Sequence, residues 1–233
     1  MYSLLRRVYS ENEISTGDFI FKNKDKVHHI SKVLRLKEGD NLLIFNQESG
    51  EFLASIKAIK RSEITLDIKK FIRKKSEKRS VTIAFSPIKP DRVRFLIEKC
   101  TEIGCAKFIP VITDRTIVKK VNEEKISSYI IGASEQSGRV SLPEIQQSVS
   151  LKILIEENRQ KMLFCDEREN TQPISKVKID SDITILIGPE GGFSDEERKM
   201  LHLNKYIIPV TLGQNILRAE TAAIVALTHA VKL

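Results

Sequence analysis

The sequence has 233 residues, 30% charged and 41% hydrophobic, with 39 Lys+Arg against 31 Asp+Glu and a net charge of +8. This composition is too apolar for a disordered chain, and no apolar run reaches the ~20 residues that cross a bilayer. The start, Met-Tyr-Ser-Leu-Leu-Arg-Arg, lacks the apolar core of a secretory signal, and Cys100, Cys105 and Cys165 show no CxxC spacing, which predicts reduced thiols in a cytoplasmic protein with no metal cluster.

The charge is uneven. Residues 1–80 carry 18 basic and 11 acidic side chains, whereas residues 81–233 carry 21 and 20. A positive field confined to the first third points to a polyanion partner, nucleic acid before any other. Within this region, alternating runs at Leu42–Phe45, Phe52–Ile56 and Ile64–Ile68 predict a small antiparallel barrel or sheet, interrupted by one helix near Asp25–Leu34. The basic stretch KKFIRKKSEKR, Lys69 to Arg79, marks a boundary, giving a first domain over 1–72, a linker over 73–80 and a second domain over 81–233.

Strands and helices alternate beyond the linker. Strands are predicted at Val81–Phe85, Phe108–Ile112, Met162–Cys165, Ile183–Ile187 and Tyr206–Leu212. Helices are predicted at Asp91–Ile103, from Asn122 to about Ser137, from Ser150 to Asn158, from a capping box at Ser194 and Glu197, and at Ala219–Val231. This alternation implies an α/β fold with a parallel sheet covered on both faces.

Ligands of such sheets bind in the loops that follow the carboxyl ends of strands. Two loops here are unusual. Gly188-Pro189-Glu190-Gly191-Gly192-Phe193 has three glycines and a carboxylate but matches neither a Walker loop nor GxGxxG, which disfavours an ATPase or a nicotinamide enzyme. Leu212-Gly213-Gln214-Asn215-Ile216-Leu217-Arg218 runs into the last helix, and Arg218 at that helix start opposes the macrodipole by ~0.3–1 kcal/mol. Glu220 is either its charge partner or a functional carboxylate. A third element, Ser134-Glu135-Gln136-Ser137-Gly138-Arg139, ends a helix with Glu135 and Arg139 near its C-cap.

The segments VHHISKVLRLKEGD, KPDRVRFLIEKCTEIGCAKFIPVITDRT, ASEQSGR, GPEGGFSDEE and LGQNILRAETA stand in the order they take in the RsmE family, which the chain resembles from about Arg6 to Leu227. These are 16S ribosomal RNA (uracil(1498)-N3)-methyltransferases of the SPOUT class. The resemblance implies an N-terminal PUA-like β-barrel for RNA, and a C-terminal SPOUT α/β domain with a deep trefoil knot over about 183–233. It further implies a homodimer, S-adenosylmethionine as methyl donor, and 16S rRNA in the small ribosomal subunit (30S) as substrate. By the same resemblance Ile187, Gly188, Glu190, Gly191, Gly192, Leu212, Gly213, Ile216, Leu217, Thr221 and Ala222 are expected around the donor. Where the family often carries a basic residue, this chain has Gln214-Asn215, so no phosphate contact is expected there.

Methyl transfer to uracil N3 needs the N3 proton removed and the resulting imide anion stabilised. Arg218 is the candidate for the anion, Glu220 or Glu190 for the proton, and Arg139 for gripping the nucleotide. Arg6, Arg7, His29, Lys32, Arg35 and Glu135, with Arg139, are the candidate RNA set; cationic contacts of this kind position a backbone without reading sequence. Two competing readings are a non-catalytic RNA-binding assembly factor and a SPOUT enzyme that methylates the ribose 2′-hydroxyl.

Overall fold

The computed structural model describes residues 5–74, 80–166 and 171–231. Two compact units emerge. The first joins Met1–Glu77 to the distant segment Ser134–Leu142, and the second comprises Lys78–Ala133 and Pro143–Leu233. Most of the basic linker expected over 73–80, residues 75–79, lies outside the described residues.

The first unit is a five-stranded sheet built from β1 (Arg7–Tyr9), β2 (Gly17–Phe21), β3 (Asn41–Asn46), β4 (Gly50–Ile59) and β5 (Ile64–Arg73), in the order β1-β3-β4-β5-β2. Alternation along β4 and β5 sends Ala54, Ile56, Leu66 and Ile68 into a core with Val8, Phe21, Ile30 and Ile44. One strand pair departs from the expected small antiparallel barrel or sheet. The three-residue β1 pairs parallel with β3, and among the described residues it does not meet β2. Register shifts at three places along β4–β5 bend that pair locally.

The single helix expected near Asp25–Leu34 is divided. Asn23 caps α1 (Lys24–His28) by accepting from the Asp25 and Lys26 amides, and the chain then widens into a π-helical turn, His29–Val33. Arg35 ends it at φ 58°, in the left-handed region that usually falls to glycine at a helix end.

One buried carboxylate holds Ser134–Leu142 to this sheet. The Glu51 side chain is 2% exposed and accepts from Arg7 Nε and Arg73 Nε, each at 2.6 Å. The same guanidiniums reach the segment's carbonyls: Arg7 donates to Ser134 at 2.5 Å and to Arg139 at 2.7 Å, Arg73 to Gly138 at 2.7 Å. Burial pulls the Arg7 pKa down from its ordinary value, and Glu51 opposes that pull.

The second unit is an all-parallel sheet. Its strands are β6 (Val81–Phe85), β7 (Lys107–Ile112), β8 (Glu144–Ile145), β9 (Val149–Ser150), β10 (Met162–Cys165), β11 (Gln172–Pro173), β12 (Ile183–Ile187) and β13 (Ile207–Thr211). Their order is β11-β13-β10-β12-β6-β7-β8, with β9 also on β7. Every residue of β12 is buried; consecutive side chains point to opposite faces, so both faces are covered.

The helices are α2 (Pro90–Ile103), α3 (Glu123–Ser137), α4 (Leu151–Glu157), α5 (Asp195–Leu203) and α6 (Ala219–Val231). Each start has a local cause. Pro90 opens α2, Asn122 accepts from Lys125 N at the head of α3, Ser150 caps α4, and Ser194 with Glu197 forms the capping box of α5. Leu151, Leu154 and Leu201 of α4 and α5 pack with Ala84, Phe164 and Leu186 of the sheet, while α6 lies on β6 and β12 with α2 against it.

Removal of the Glu51 carboxylate isolates the buried Arg7 charge. Glu51→Ala is expected to destabilise the protein by about 3–5 kcal/mol, measured by urea unfolding followed by circular dichroism. An unfolding midpoint equal to wild type would refute the structural role given to this carboxylate.

Candidate active site

A cleft of about 300 Å³ opens at the carboxyl ends of β10, β12 and β13, within the second unit. This is the position at which parallel α/β sheets bind ligands, and the size is at the lower end for small-molecule sites. Both unusual loops line it. The first contributes Ile187, Gly188, Glu190 and Gly192, the second Leu212, Gly213, Ile216 and Leu217, and α6 adds Ala222. Gly191 and Thr221, also expected around a donor, do not line it. The Gly191 carbonyl instead accepts from Arg115 Nη1 at 3.0 Å, and Thr221 is exposed on α6.

The shape of the first loop is set from inside. Phe193 is 1% exposed and its ring meets Phe164 edge-on, centroids 5.1 Å apart. A Cβ at Gly188 would lie 2.6 Å from the Phe193 ring, so Gly188 is required by this internal contact before any ligand enters. The far end of the loop is tied down by Glu197, which accepts from Ser194 N at 2.8 Å and from Asp114 N at 2.9 Å, while Ser194 Oγ donates to Asp114 at 2.6 Å. In the second loop Gly213 takes φ 133°, and Ile216 is 81% exposed, an apolar side chain presented to the cleft.

Four charged side chains line the cleft: Arg92, Asp166, Glu190 and Arg218. Asp166 is engaged behind it, its carboxylate taken by Arg198 and by His202 Nε2 at 3.0 Å. Arg218 and Glu190 are exposed. Arg218 holds the N-cap position of α6, its carbonyl accepting from Ala222 N at 2.8 Å, so its side chain is at the mouth of the cleft without capping the helix.

Glu220 departs from expectation. It is 7% exposed, does not line the cleft, and faces Arg92, with Oε1 4.0 Å from Nε. A buried carboxylate outside the lining, facing Arg92, is less suited than an exposed lining carboxylate to take a proton from a nucleobase in the cleft. Arg92, in contrast, was not among the expected residues. The helix-start argument that singles out Arg218 applies equally to Arg92 in the first turn of α2, and Asp166 stands at a strand's carboxyl end, where ligand groups concentrate.

The residues expected to meet RNA separate into two groups. Arg6, Lys32 and Arg35 are exposed. Arg7 is instead fixed inside the first unit by Glu51, its guanidinium 4.1 Å from the Phe45 ring centre. Glu135 accepts from Tyr9 N at 2.9 Å and lies 3.7 Å from Lys26 and 3.6 Å from His29, so it orders the protein's own cations. Arg139 donates to the Ser141 carbonyl at 3.2 Å, and its own carbonyl receives Arg7. Sequence reasoning missed an open groove in this unit that gathers Lys24, His28, Lys32, Lys60 and Arg61 around a single carboxylate, Asp25.

Two glycines of one loop are predicted to differ. Gly188→Ala drives a methyl group into the Phe193 ring and is expected to destabilise by about 1–3 kcal/mol, whereas Gly191→Ala meets only Arg115 at 3.5 Å and should stay near wild type. Thermal unfolding of the two variants checks the contrast; equal midpoints would refute it.

Comparison with known proteins adds an independent line. The RNA methyltransferase domain family matches residues 75–231, and the RNA methyltransferase PUA domain family matches residues 22–69. Ribosomal RNA small subunit methyltransferase E of Rickettsia conorii is 37% identical, over 96% of this chain and 93% of its own. The protein of the same name in Bacillus subtilis is 28% identical, over 88% and 86%. A Legionella pneumophila methyltransferase solved with SAM bound superposes with a TM-score of 0.87 at 31% identity, covering 96% of both chains. Ribosomal RNA small subunit methyltransferase E of Neisseria gonorrhoeae has the same fold, TM-score 0.87 at 23% identity over 96% and 95%. With its two domain matches, its cleft at the carboxyl ends of β10, β12 and β13, and a relative of this identity along almost its whole length, the chain belongs to the ribosomal RNA small subunit methyltransferase E family.

Proposed function

We propose that this protein is an S-adenosylmethionine-dependent methyltransferase that modifies N3 of a uracil in 16S rRNA, the base at position 1498 of the small subunit. The observation that carries the reading is the cleft itself. Two glycine-containing loops wall it with backbone and apolar groups, and an exposed arginine stands at its mouth, in a chain 37% identical to a methyltransferase E. The residues present suit the donor. Ile216 and Leu217 offer apolar faces to an adenine, and Gly188 and Leu212 bring main-chain groups to the lining, whereas the Gly192 amide donates to the Pro189 carbonyl and Gly213 bonds Thr211 Oγ1. Bound there, the donor supplies an electrophilic methyl carbon and a neutral thioether leaving group.

The protein's part is then positioning and proton removal. Uracil N3 is a poor nucleophile until it loses its proton, and the anion formed spreads over O2, N3 and O4. Arg218, exposed at the cleft, is placed to favour that anion, and the low-dielectric walls strengthen the attraction. Glu190 is the carboxylate that accepts the proton, because it lines the cleft and is exposed, whereas Glu220 is buried outside the lining. The exposed Arg6, Lys32 and Arg35, with Lys24 and Arg61 of the groove, hold RNA phosphates, and Arg139 grips the target nucleotide.

Several finer features belong to the same proposal. The chain is divided into an RNA-binding domain over 1–72 and a methyltransferase domain over 81–233, with the knot in 183–233 made from β12, α5, β13 and α6. The active form is a cytoplasmic homodimer.

Arg218→Ala is expected to lower turnover by about 10²–10³-fold, the cost of removing one oxyanion-stabilising donor, while SAM affinity stays near wild type. Unchanged turnover would remove Arg218 from the mechanism. Mass spectrometry of rRNA nucleosides from a strain lacking this gene should show 3-methyluridine gone; loss of a 2′-O-methyl mark instead would sink the base-methylation reading.

A further inference from the structure

Glu220 presents an anomaly. Its side chain is 10% exposed, yet Oε2 is buried with no hydrogen-bond partner among the described residues. Buried carboxylate oxygens without donors are costly and rare, so each calls for a cause. The nearest cation is Arg92, whose Nε stands 4.0 Å from Oε1, within Coulombic reach but beyond hydrogen-bond distance. Arg92 makes no side-chain hydrogen bond among the described residues. A guanidinium with five donors therefore lines the cleft, ion-paired to Glu220 and without a hydrogen-bond acceptor among the described residues.

We propose that Arg92 binds the α-carboxylate of S-adenosylmethionine through its guanidinium fork, and that Glu220 is the positioning residue that aims it. The proposal rests on the methyltransferase reading above. Three features select the donor's carboxylate as the ligand group. The donor is an α-amino acid at one end, and its carboxylate needs a planar, bidentate cation, which arginine supplies and lysine does not. Arg92 stands on a helix packed against α6, with its side chain 32% exposed, whereas Arg218 is exposed at the end of a loop. The more enclosed cation suits the small ligand, and the exposed one the base that arrives on RNA. The cleft also carries the opposite charge that an amino-acid end requires, since Glu190 lines it and is exposed. An arginine between two carboxylates, one from α6 and one from the ligand, satisfies both and gives the Glu220 orphan oxygen a reason: the pair is completed only when the ligand fixes the guanidinium.

The test measures ligand discrimination with no reaction. Isothermal titration calorimetry of the full-length protein compares S-adenosylmethionine with decarboxylated S-adenosylmethionine, which lacks only the group in question. Wild type should prefer the intact ligand by about tenfold or more, the range of a hydrogen bond to a charged group. Arg92→Ala should weaken the intact ligand by a similar factor and leave the decarboxylated one unchanged, so the preference collapses toward one. Arg92→Lys keeps a cation opposite Glu220, guards against a folding defect, and should lose most of the preference because it lacks the fork. Glu220→Gln should reduce the preference in part, which a merely structural role for Glu220 would not do. A preference that survives in both Arg92 variants overturns the assignment, even with SAM binding intact. Wild-type protein that binds neither ligand overturns the methyltransferase reading and this proposal with it.

Discussion

The packing of Phe193 between Gly188 and Phe164 is the contact on which the cleft depends. A parallel strand that ends in the core, as β12 does at Ile187, must release its chain to solvent within a few residues. Here the chain leaves at Gly188, then returns at Phe193 to bury an aromatic ring against β10. The return stroke makes the intervening Pro189-Glu190-Gly191-Gly192 bulge outward at the strand ends, where a ligand can be held. The ring and the missing Cβ at Gly188 are two halves of one solution, since any side chain at 188 displaces the ring. Glu197 then fixes the exit of the loop by serving two amides at once, one of them on the chain beyond β7.

Charge in the cleft follows from this geometry and from burial. Of the four ionisable groups that line it, Asp166 is ion-paired with Arg198 and in contact with His202 Nε2 and contributes mainly rigidity. Arg218 and Glu190 face solvent, with opposite signs, on two different loops. Arg92 sits between these extremes, on a helix and half withdrawn toward Glu220. The lining thus combines a carboxylate held by Arg198, an arginine facing Glu220, and two solvent-exposed groups of opposite sign.

Much of this was legible in the sequence because its signals are local. The capping box at Ser194 and Glu197, the cap at Ser150 and the apolar strand at Ile183–Ile187 depend on residues within one turn or one strand of each other. Both cleft loops were visible as glycine-containing segments after such strands. What escaped depends on distance in sequence. Three-residue β1 carries too little periodicity to be noticed, and the union of Ser134–Leu142 with the first unit is made by Arg7, 127 residues from Ser134, through a carboxylate on β4. The burial of Glu220 was equally hidden, because it follows from α6 lying against α2 and not from any feature of the RAETA motif itself.

The positive excess of the first 80 residues also takes on a different meaning. An arginine that binds a buried carboxylate does not offer its charge to RNA, and both Arg7 and Arg73 do this through Glu51. Lys26 and His29 are turned toward Glu135, and Lys60 pairs with Glu63 at 2.6 Å. A substantial part of the basic composition therefore builds the unit that presents the rest. Exposed cations remain to face a phosphate backbone, among them Arg6, Lys24, Lys32, Arg35 and Arg61, three of these five around one groove. Because each phosphate contact releases counterions, such a set gives binding that weakens with salt and positions the RNA without reading it. Selection of one base must then come from contacts other than those to the backbone, and residues 81–233, which wall the cleft, are nearly neutral and add little to the attraction of a polyanion.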